Sequence, residues 1–269
     1  MESLRGVDDW PVEHAAVAVV TASGTSSYGP TATRFRLASV TKPLVAVAAL
    51  LAAEEEAISL DEAAGPEGST VRHLLAHTSG LAFNEHEVTA EPGTRRLYSS
   101  AGFEVLADHI AERTGIAFAD YLHEAVCEPL GMSSTTLEGS AGHGAVSTVD
   151  DLAKLAAELL TPTLLAPETL AEATSVQFPG LAGVLPGLGY QKPNDWGLGL
   201  ELRGHKSPHW TGANSSPSTF GHFGQSGTFL WVDPDARAAG VALTDRDFGD
   251  WAKEAWPAFT DAVLADLQP

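Results

Sequence analysis

Apolar positions in this chain run together near its two ends and recur at helical intervals in its middle. Ala15 to Val20 is an unbroken, β-branched apolar run stopped by Ser23-Gly24, and a second short strand follows to Tyr28, ahead of Gly29-Pro30. Arg34-Phe35-Arg36-Leu37 alternates polar and apolar, as a half-buried strand does. From about Ser39 the pattern changes to an Ala- and Leu-rich run, Pro43 to Ala53, which predicts a helix reaching Glu54-Glu55-Glu56. Ser69-Thr70 starts a helix through Leu74-Leu75 that stops before Thr78-Ser79-Gly80. Another runs from about Tyr98 or Ser100 to Gly115, and a third covers Phe118 to Val126. Asp150-Asp151 starts a long helix through Leu160, and Pro162 to Pro193 reads as a connector with a short helix around Glu168 to Ala173. Strands return at Trp196 to Leu202, Gly227 to Val232 and Ala238 to Leu243, the last two joined by the turn Asp233-Pro234-Asp235. Trp251 to Leu267 closes the chain as an amphipathic helix.

Strands at both ends with helices between them predict an α/β protein of the α+β sandwich type. Its antiparallel sheet is flanked by N- and C-terminal helices and interrupted by an inserted all-helical subdomain. The expected division is residues 1–58 and 145–269 for the body and 59–144 for the insertion, with an active site in the cleft between them.

Composition changes this picture in one respect. At 269 residues and 44% hydrophobic content the chain is an ordinary globular one, but 35 Asp+Glu against 15 Lys+Arg give a net charge of −20. Such a surface argues against nucleic acid or an anionic membrane as a partner, and it favours solubility. The segment Met1 to Asp9 lacks the basic-then-apolar pattern of a secretory signal, and no apolar run approaches the length of a membrane span. The lone cysteine, Cys127, excludes an internal disulfide and is expected to serve packing. A cytoplasmic location is therefore expected, and oligomeric state is left open.

Candidate chemistry starts at Ser39-Val40-Thr41-Lys42. If a helix begins there, Ser39 and Lys42 share one face, which pairs a nucleophile with a base. A capping serine and a solvated lysine would give the same four letters. Two more stretches are unusual. Tyr98-Ser99-Ser100 lies just ahead of a helix, and Gly221 to Gly227 carries His222 among glycines that let a ligand or another backbone approach closely. No Gly-x-Ser-x-Gly elbow or phosphate loop is present. His86-Glu87 and His123-Glu124 lack the second histidine of a zinc-protease helix, so neither metal nor other cofactor is expected.

Taken together, Ser39-x-x-Lys42, Tyr98-x-Ser100 and His222-x-Gly224 resemble, in order and spacing, three motifs of the penicillin-recognising serine hydrolases. This is the superfamily of serine β-lactamases and penicillin-binding proteins. Leu74 to Leu81 and Ser147 to Leu152 are similar to segments of its class C β-lactamase and esterase branch, and Gly221 to Pro234 resembles the third-motif strand and hairpin. The resemblance implies an acyl-enzyme on Ser39, proton transfer by Lys42 and Tyr98, and His222 where penicillin-targeting members carry lysine. It also implies an oxyanion hole from the backbone N–H groups of Ser39 and Gln225. Ser100, Phe223 and Gly224 would line the substrate site.

Two departures from that pattern narrow the substrate. Ser100 replaces the usual asparagine, and His222 removes a permanent positive charge, so the groups that hold an amide or a carboxylate are weakened. The chain is also short for this branch, which predicts an open pocket. The expected activity is hydrolysis of a small ester or amide, with a small-molecule acyl substrate. An acyltransferase, peptide cyclase or D-amino-acid peptidase of the same fold is one alternative, and a binding protein on a retired site is another.

Overall fold

The structure, a computed structural model, describes residues 1–268. Its centre is a six-stranded antiparallel sheet in the order β2-β1-β11-β10-β9-β8, built from β1 (Ala15–Thr21), β2 (Gly24–Tyr28), β8 (Glu201–Leu202), β9 (Phe220–Gly224), β10 (Thr228–Asp233) and β11 (Ala238–Thr244). The two ends of the chain therefore meet in mid-sheet, with Ala18 opposite Val241. Small pairings complete the β structure: β3 (Phe35–Arg36) and β4 (Thr136–Leu137) flank β5 (Ala145–Ser147), and β6 (Gly183–Leu185) pairs with β7 (Gly189–Gln191).

Both faces of the main sheet are covered, which explains why its strands read as apolar runs instead of alternations. Ala16, Ala18 and Val20 pack toward α1 (Thr41–Glu54) and α5 (Val149–Leu160), while Val17 and Val19 pack toward α7 (Asp250–Asp266) and the N-terminal turn Ser3–Asp9. Helix α1 is buried at every position from Thr41 to Ala52, consistent with an apolar surface on all sides. The helices α2 (Val71–Leu75), α3 (Ala101–Thr114) and α4 (Phe118–Leu122) lie between the β-rich ends, and α6 (Pro167–Ala173) follows α5. Cys127 ends a π-helical turn that continues α4, and it is buried as a packing residue.

Several boundaries differ from the sequence expectation. Ser39 sits in a 3-10 turn, Ala38–Val40, ahead of α1, so it precedes the helix's first turn. The strand expected over Trp196 to Leu202 shrinks to Glu201–Leu202. Gly199 takes φ +75°, and the segment folds back so that Trp196 bridges Glu201. The connector after Pro162 contains the β6–β7 hairpin, which no alternating pattern announced.

Candidate active site

The turn that carries Ser39 is clamped from two sides. Thr228 Oγ1 donates to Leu37 O at 2.8 Å and Ser226 Oγ to Arg36 O at 2.6 Å, while Leu37 N–H donates to Ala145 O at 2.9 Å. Gly224 rests directly on this turn, because a Cβ there would lie 2.2 Å from Leu37 O. The absence of a side chain at Gly224 is thus what admits the Ser39 turn. Ala38 takes φ +45°, an uncommon conformation for a residue with a Cβ, immediately before the serine.

Lys42 projects from the first turn of α1 into a closed space. Its Nζ lies 3.5 Å from Ser39 Oγ, 3.2 Å from Ser100 Oγ and 2.8 Å from Gly142 O, and 4.6 Å from the centre of the Tyr98 ring. Burial lowers its pKa to about 7, opposed only by the more distant Glu104 carboxylate. The carbonyl of Gly142 was not anticipated. It comes close because Gly142 packs on Ser100, where a Cβ would meet the Ser100 Cβ at 2.7 Å, and Gly139, Gly142 and Gly144 are the only sequence signal for such an approach.

Tyr98 is placed by a framework of buried polar groups. Arg96 is buried and donates to the carbonyls of Ala76, Gln177, Phe178 and Asn194. His77 Nδ1 accepts from Ser99 N–H at 3.1 Å, and its ring stacks 4.5 Å from that of Tyr98. Ser99 Oγ accepts from Gly102 N–H at 2.9 Å, satisfying one donor of the first turn of α3, while the N-cap residue Ser100 makes no side-chain capping bond and its hydroxyl faces Lys42. Burial raises the Tyr98 pKa, with the Ser39 hydroxyl working in the opposite direction.

His222 stands on β9 opposite Leu230. Its Nδ1 lies 2.7 Å from Phe223 O and so must carry the proton, which leaves Nε2 to accept from the Tyr98 hydroxyl at 3.3 Å. Burial, then the nearby Lys42, lowers its pKa to about 3, so the ring is neutral at physiological pH. Trp196, also unanticipated, fills the space between these groups, with ring centres 5.7 Å from Tyr98 and 5.4 Å from His222. Gln225 is held by its side chain to Phe248 O at 3.2 Å. Among the described residues, neither the Ser39 nor the Gln225 backbone N–H donates to another protein group.

These groups open on a cavity of about 340 Å³. It draws Ser39, Trp196, His222 and Phe223 from the outer segments, and Phe83, Tyr98, Ser100 and His143 from residues 59–144. Leu185 and Pro186 of the β6–β7 hairpin wall one side. Among the described residues no lysine or arginine lines it. Its one carboxylate, Glu201, is buried and engaged: Oε1 pairs with Lys206, and Oε2 accepts from His209 Nε2 at 2.9 Å and Trp210 Nε1 at 3.0 Å. Burial pushes the Glu201 pKa up, but Lys206 and His209 outweigh it and hold the carboxyl well below the usual range. Glu201, Lys206 and His209 share no helix or strand spacing, so no sequence pattern joins them.

Among the described residues one group could gather round a metal ion, the exposed Glu13, His14 and Asp245, and none of the three lines the pocket. Among the described residues no helix is long and apolar enough to cross a membrane.

Comparison with known proteins places this geometry. The crystal structure of a beta-lactamase from Mycobacterium bovis superposes with a TM-score of 0.98 at 59% identity, covering 99% of this chain and all of that one. Two more distant structures share the fold: the hydrolase EstCE1, described as having promiscuous acyltransferase activity (20% identity, 97% of this chain and 96% of that one, TM-score 0.80), and simvastatin synthase from Aspergillus terreus (18%, 99% and 97%, TM-score 0.82). Penicillin-binding protein 4* of Bacillus subtilis is 27% identical over 134 residues, and the match spans 38% of this chain and 30% of that protein. A family model for beta-lactamases matches residues 8–264, a span that holds the serine turn, the tyrosine loop and the histidine strand, and the chain therefore belongs to the beta-lactamase family.

Proposed function

We propose that this chain is a serine hydrolase that opens a small ester or amide, with no charge beside the scissile bond, through an acyl-enzyme on Ser39. The observation that carries the reading is Lys42, an ammonium site buried without a contacting carboxylate and next to the nucleophile. A neutral lysine amine has two N–H donors and one lone pair. Gly142 O and Ser100 Oγ take the donors at 2.8 and 3.2 Å, which leaves the lone pair for the Ser39 hydroxyl at 3.5 Å. That last distance is long for a hydrogen bond, and such contacts tighten when substrate binds.

In this mechanism Lys42 takes the Ser39 proton as Oγ attacks the carbonyl carbon, and the backbone N–H groups of Ser39 and Gln225 receive the oxyanion. Collapse of the tetrahedral adduct breaks the bond to the leaving group, whose oxygen or nitrogen takes the proton back from Lys42. Tyr98, whose raised pKa keeps it protonated, turns its single O–H from His222 Nε2 to the departing atom. Water then repeats the sequence on the acyl-enzyme, its proton going to Lys42, and releases the acid while Ser39 regains its hydrogen. An amine or alcohol in place of that water would make the same site an acyltransferase.

The pocket supports a substrate without a carboxylate beside the scissile bond. No lysine or arginine lines it, the buried His222 is neutral, and the Ser100 hydroxyl is turned to Lys42. The M. bovis relative is described as a beta-lactamase, which makes a penicillin the natural competing substrate. Residues 59–144 would form one wall of the site and the sheet with α1 the other. The strongly acidic chain suits small-molecule substrates in a cytoplasmic setting better than nucleic acid or a membrane.

Intact mass spectrometry after mixing with a short-chain ester panel and a penicillin tests the reading. Ester acylation of the wild-type protein, lost in Ser39→Ala along with fluorophosphonate labelling, is the expected result. A penicillin adduct that forms fastest and clears fastest would overturn the substrate class, and near-wild-type turnover by Ser39→Ala would overturn the nucleophile.

A further inference from the structure

Beside the catalytic cavity lies a second, larger apolar groove of about 790 Å³, and the two share Phe83, Tyr98 and Pro186 as a common wall. Single exposed hydrophobic side chains are common, but a contiguous apolar patch marks a ligand groove or an interaction site. Three of the most exposed in this chain border the groove: Phe83 at 48%, Val184 at 56% and Tyr190 at 67%. The floor is rigid, because Arg96 is buried there with its guanidinium committed to four backbone carbonyls.

Charge distinguishes this groove from the rest of the surface. In a chain of net charge −20, no aspartate or glutamate lines it, and it carries one exposed arginine, Arg95. The arginines that pair with carboxylates among the described residues are Arg34, Arg72 and Arg113, so the Arg95 charge is available to a ligand.

We propose that this groove is an extended substrate subsite, which takes an apolar chain attached to the ester and ending in an anionic group that meets Arg95. The proposal rests on the acyl-enzyme reading of Ser39 and extends it: the scissile bond is uncharged, and the negative charge sits at the far end of the chain. Because Phe83, Tyr98 and Pro186 border both spaces, a chain leaving the reacting carbonyl has only these side chains to cross before it enters the groove. Burial of each added methylene then raises kcat/KM until the groove is filled.

Two substrate series separate the sources of such a chain. Nitrophenyl esters of acetic, butyric and octanoic acid place it on the acyl side, and acetates of short and long alcohols place it on the leaving side. The expected result is a rise of about tenfold or more in kcat/KM from the shortest to the longest member of one series, given the transfer free energy of several methylenes. A terminal carboxylate on the long chain should add a further gain of about threefold, the scale of an exposed ion pair. Val184→Asp and Tyr190→Ala should each reduce the long-to-short ratio, and Arg95→Gln should remove the preference for the carboxylated chain. No rise with length in either series, or ratios untouched by the Val184 and Tyr190 substitutions, would overturn the proposal. Binding of octanoate to the Ser39→Ala protein, measured calorimetrically, reads the groove without turnover. Binding that weakens in the added Tyr190→Ala background supports the subsite even if no ester is hydrolysed, whereas absence of binding overturns it while short-ester turnover still stands.

Discussion

Two lysines are buried in this molecule, and their surroundings are opposites. Lys206 directs its ammonium at Glu201, at Asp195 O (2.6 Å) and at Leu202 O (2.5 Å), so all three of its N–H groups are used and a carboxylate matches its charge. Lys42 meets two hydroxyls and one carbonyl, and the nearest acid acting on it, Glu104, does so only through space. Burial lowers the pKa of both, and only for Lys206 does a contacting carboxylate push back. The difference separates a staple from the proposed base. Lys206 ties the 195–202 segment, with Trp196, against the pocket, whereas the Lys42 amine is left able to lose and regain a proton near neutrality.

Substituting each lysine should therefore give opposite results. Lys42→Met is expected to lower single-turnover acylation by about 10²- to 10⁴-fold, the usual range for a general base. It should also raise the melting temperature. The sign follows from the shift: between a folded pKa of about 7 and the ordinary 10.5, the unfolded chain binds the extra proton, so Lys42 costs stability most fully below pH 7. The gain in the methionine variant should thus be larger at pH 6 than at pH 10. A variant that loses stability and keeps its acylation rate would collapse the contrast.

Glu201→Gln should do the reverse, at the cost of about 3–5 kcal/mol for leaving a buried charge unpaired and with acylation by the folded fraction altered only a few-fold. The double substitution Glu201→Leu with Lys206→Met should recover much of that loss in a urea titration, because neither charge is then buried. If it falls further than the single change, the pair does more than hold its loop.

A pH profile sharpens the comparison without a mutation. kcat/KM for a neutral ester should rise with pH along a limb of apparent pKa about 7 and then level off, since Lys42 must be neutral to act. His222, lowered to about 3, and Tyr98, raised by burial, should add no limb between them. The smallest effect is expected from Glu104→Gln. Glu104 raises the Lys42 pKa, so its removal should move that limb to lower pH by a fraction of a unit.

Legibility in the sequence tracked how local the determining contacts are. Helices α3 and α5 were readable at nearly their observed ends because Gly115 takes the left-handed conformation that stops α3 and Thr148 caps α5 through Asp151 N–H. The motif residues Ser39, Lys42, Tyr98 and His222 each have a recognisable neighbourhood in the sequence; the fold brings Ser39, Tyr98 and His222 to one cavity and buries Lys42 behind Ser39. Trp196 was misplaced in a strand because apolar alternation cannot report that Gly199 turns the segment back on itself. The β6–β7 hairpin stayed hidden among prolines and glycines, since its pairing is only three residues long.

The sequence alone determined the alternation of β and helical segments, the excess of acid, and a serine and a lysine three residues apart, because these follow from periodicity, composition and local spacing. Only the tertiary structure decided what that lysine is. Its proton affinity is set by the residues that exclude water from it, Ser100, Gly142 and the Tyr98 and Phe103 rings, which lie 58 to 100 positions away at the hydrogen-bonding contacts. Desolvation is a property of the assembled neighbourhood, and no stretch of chain carries it by itself.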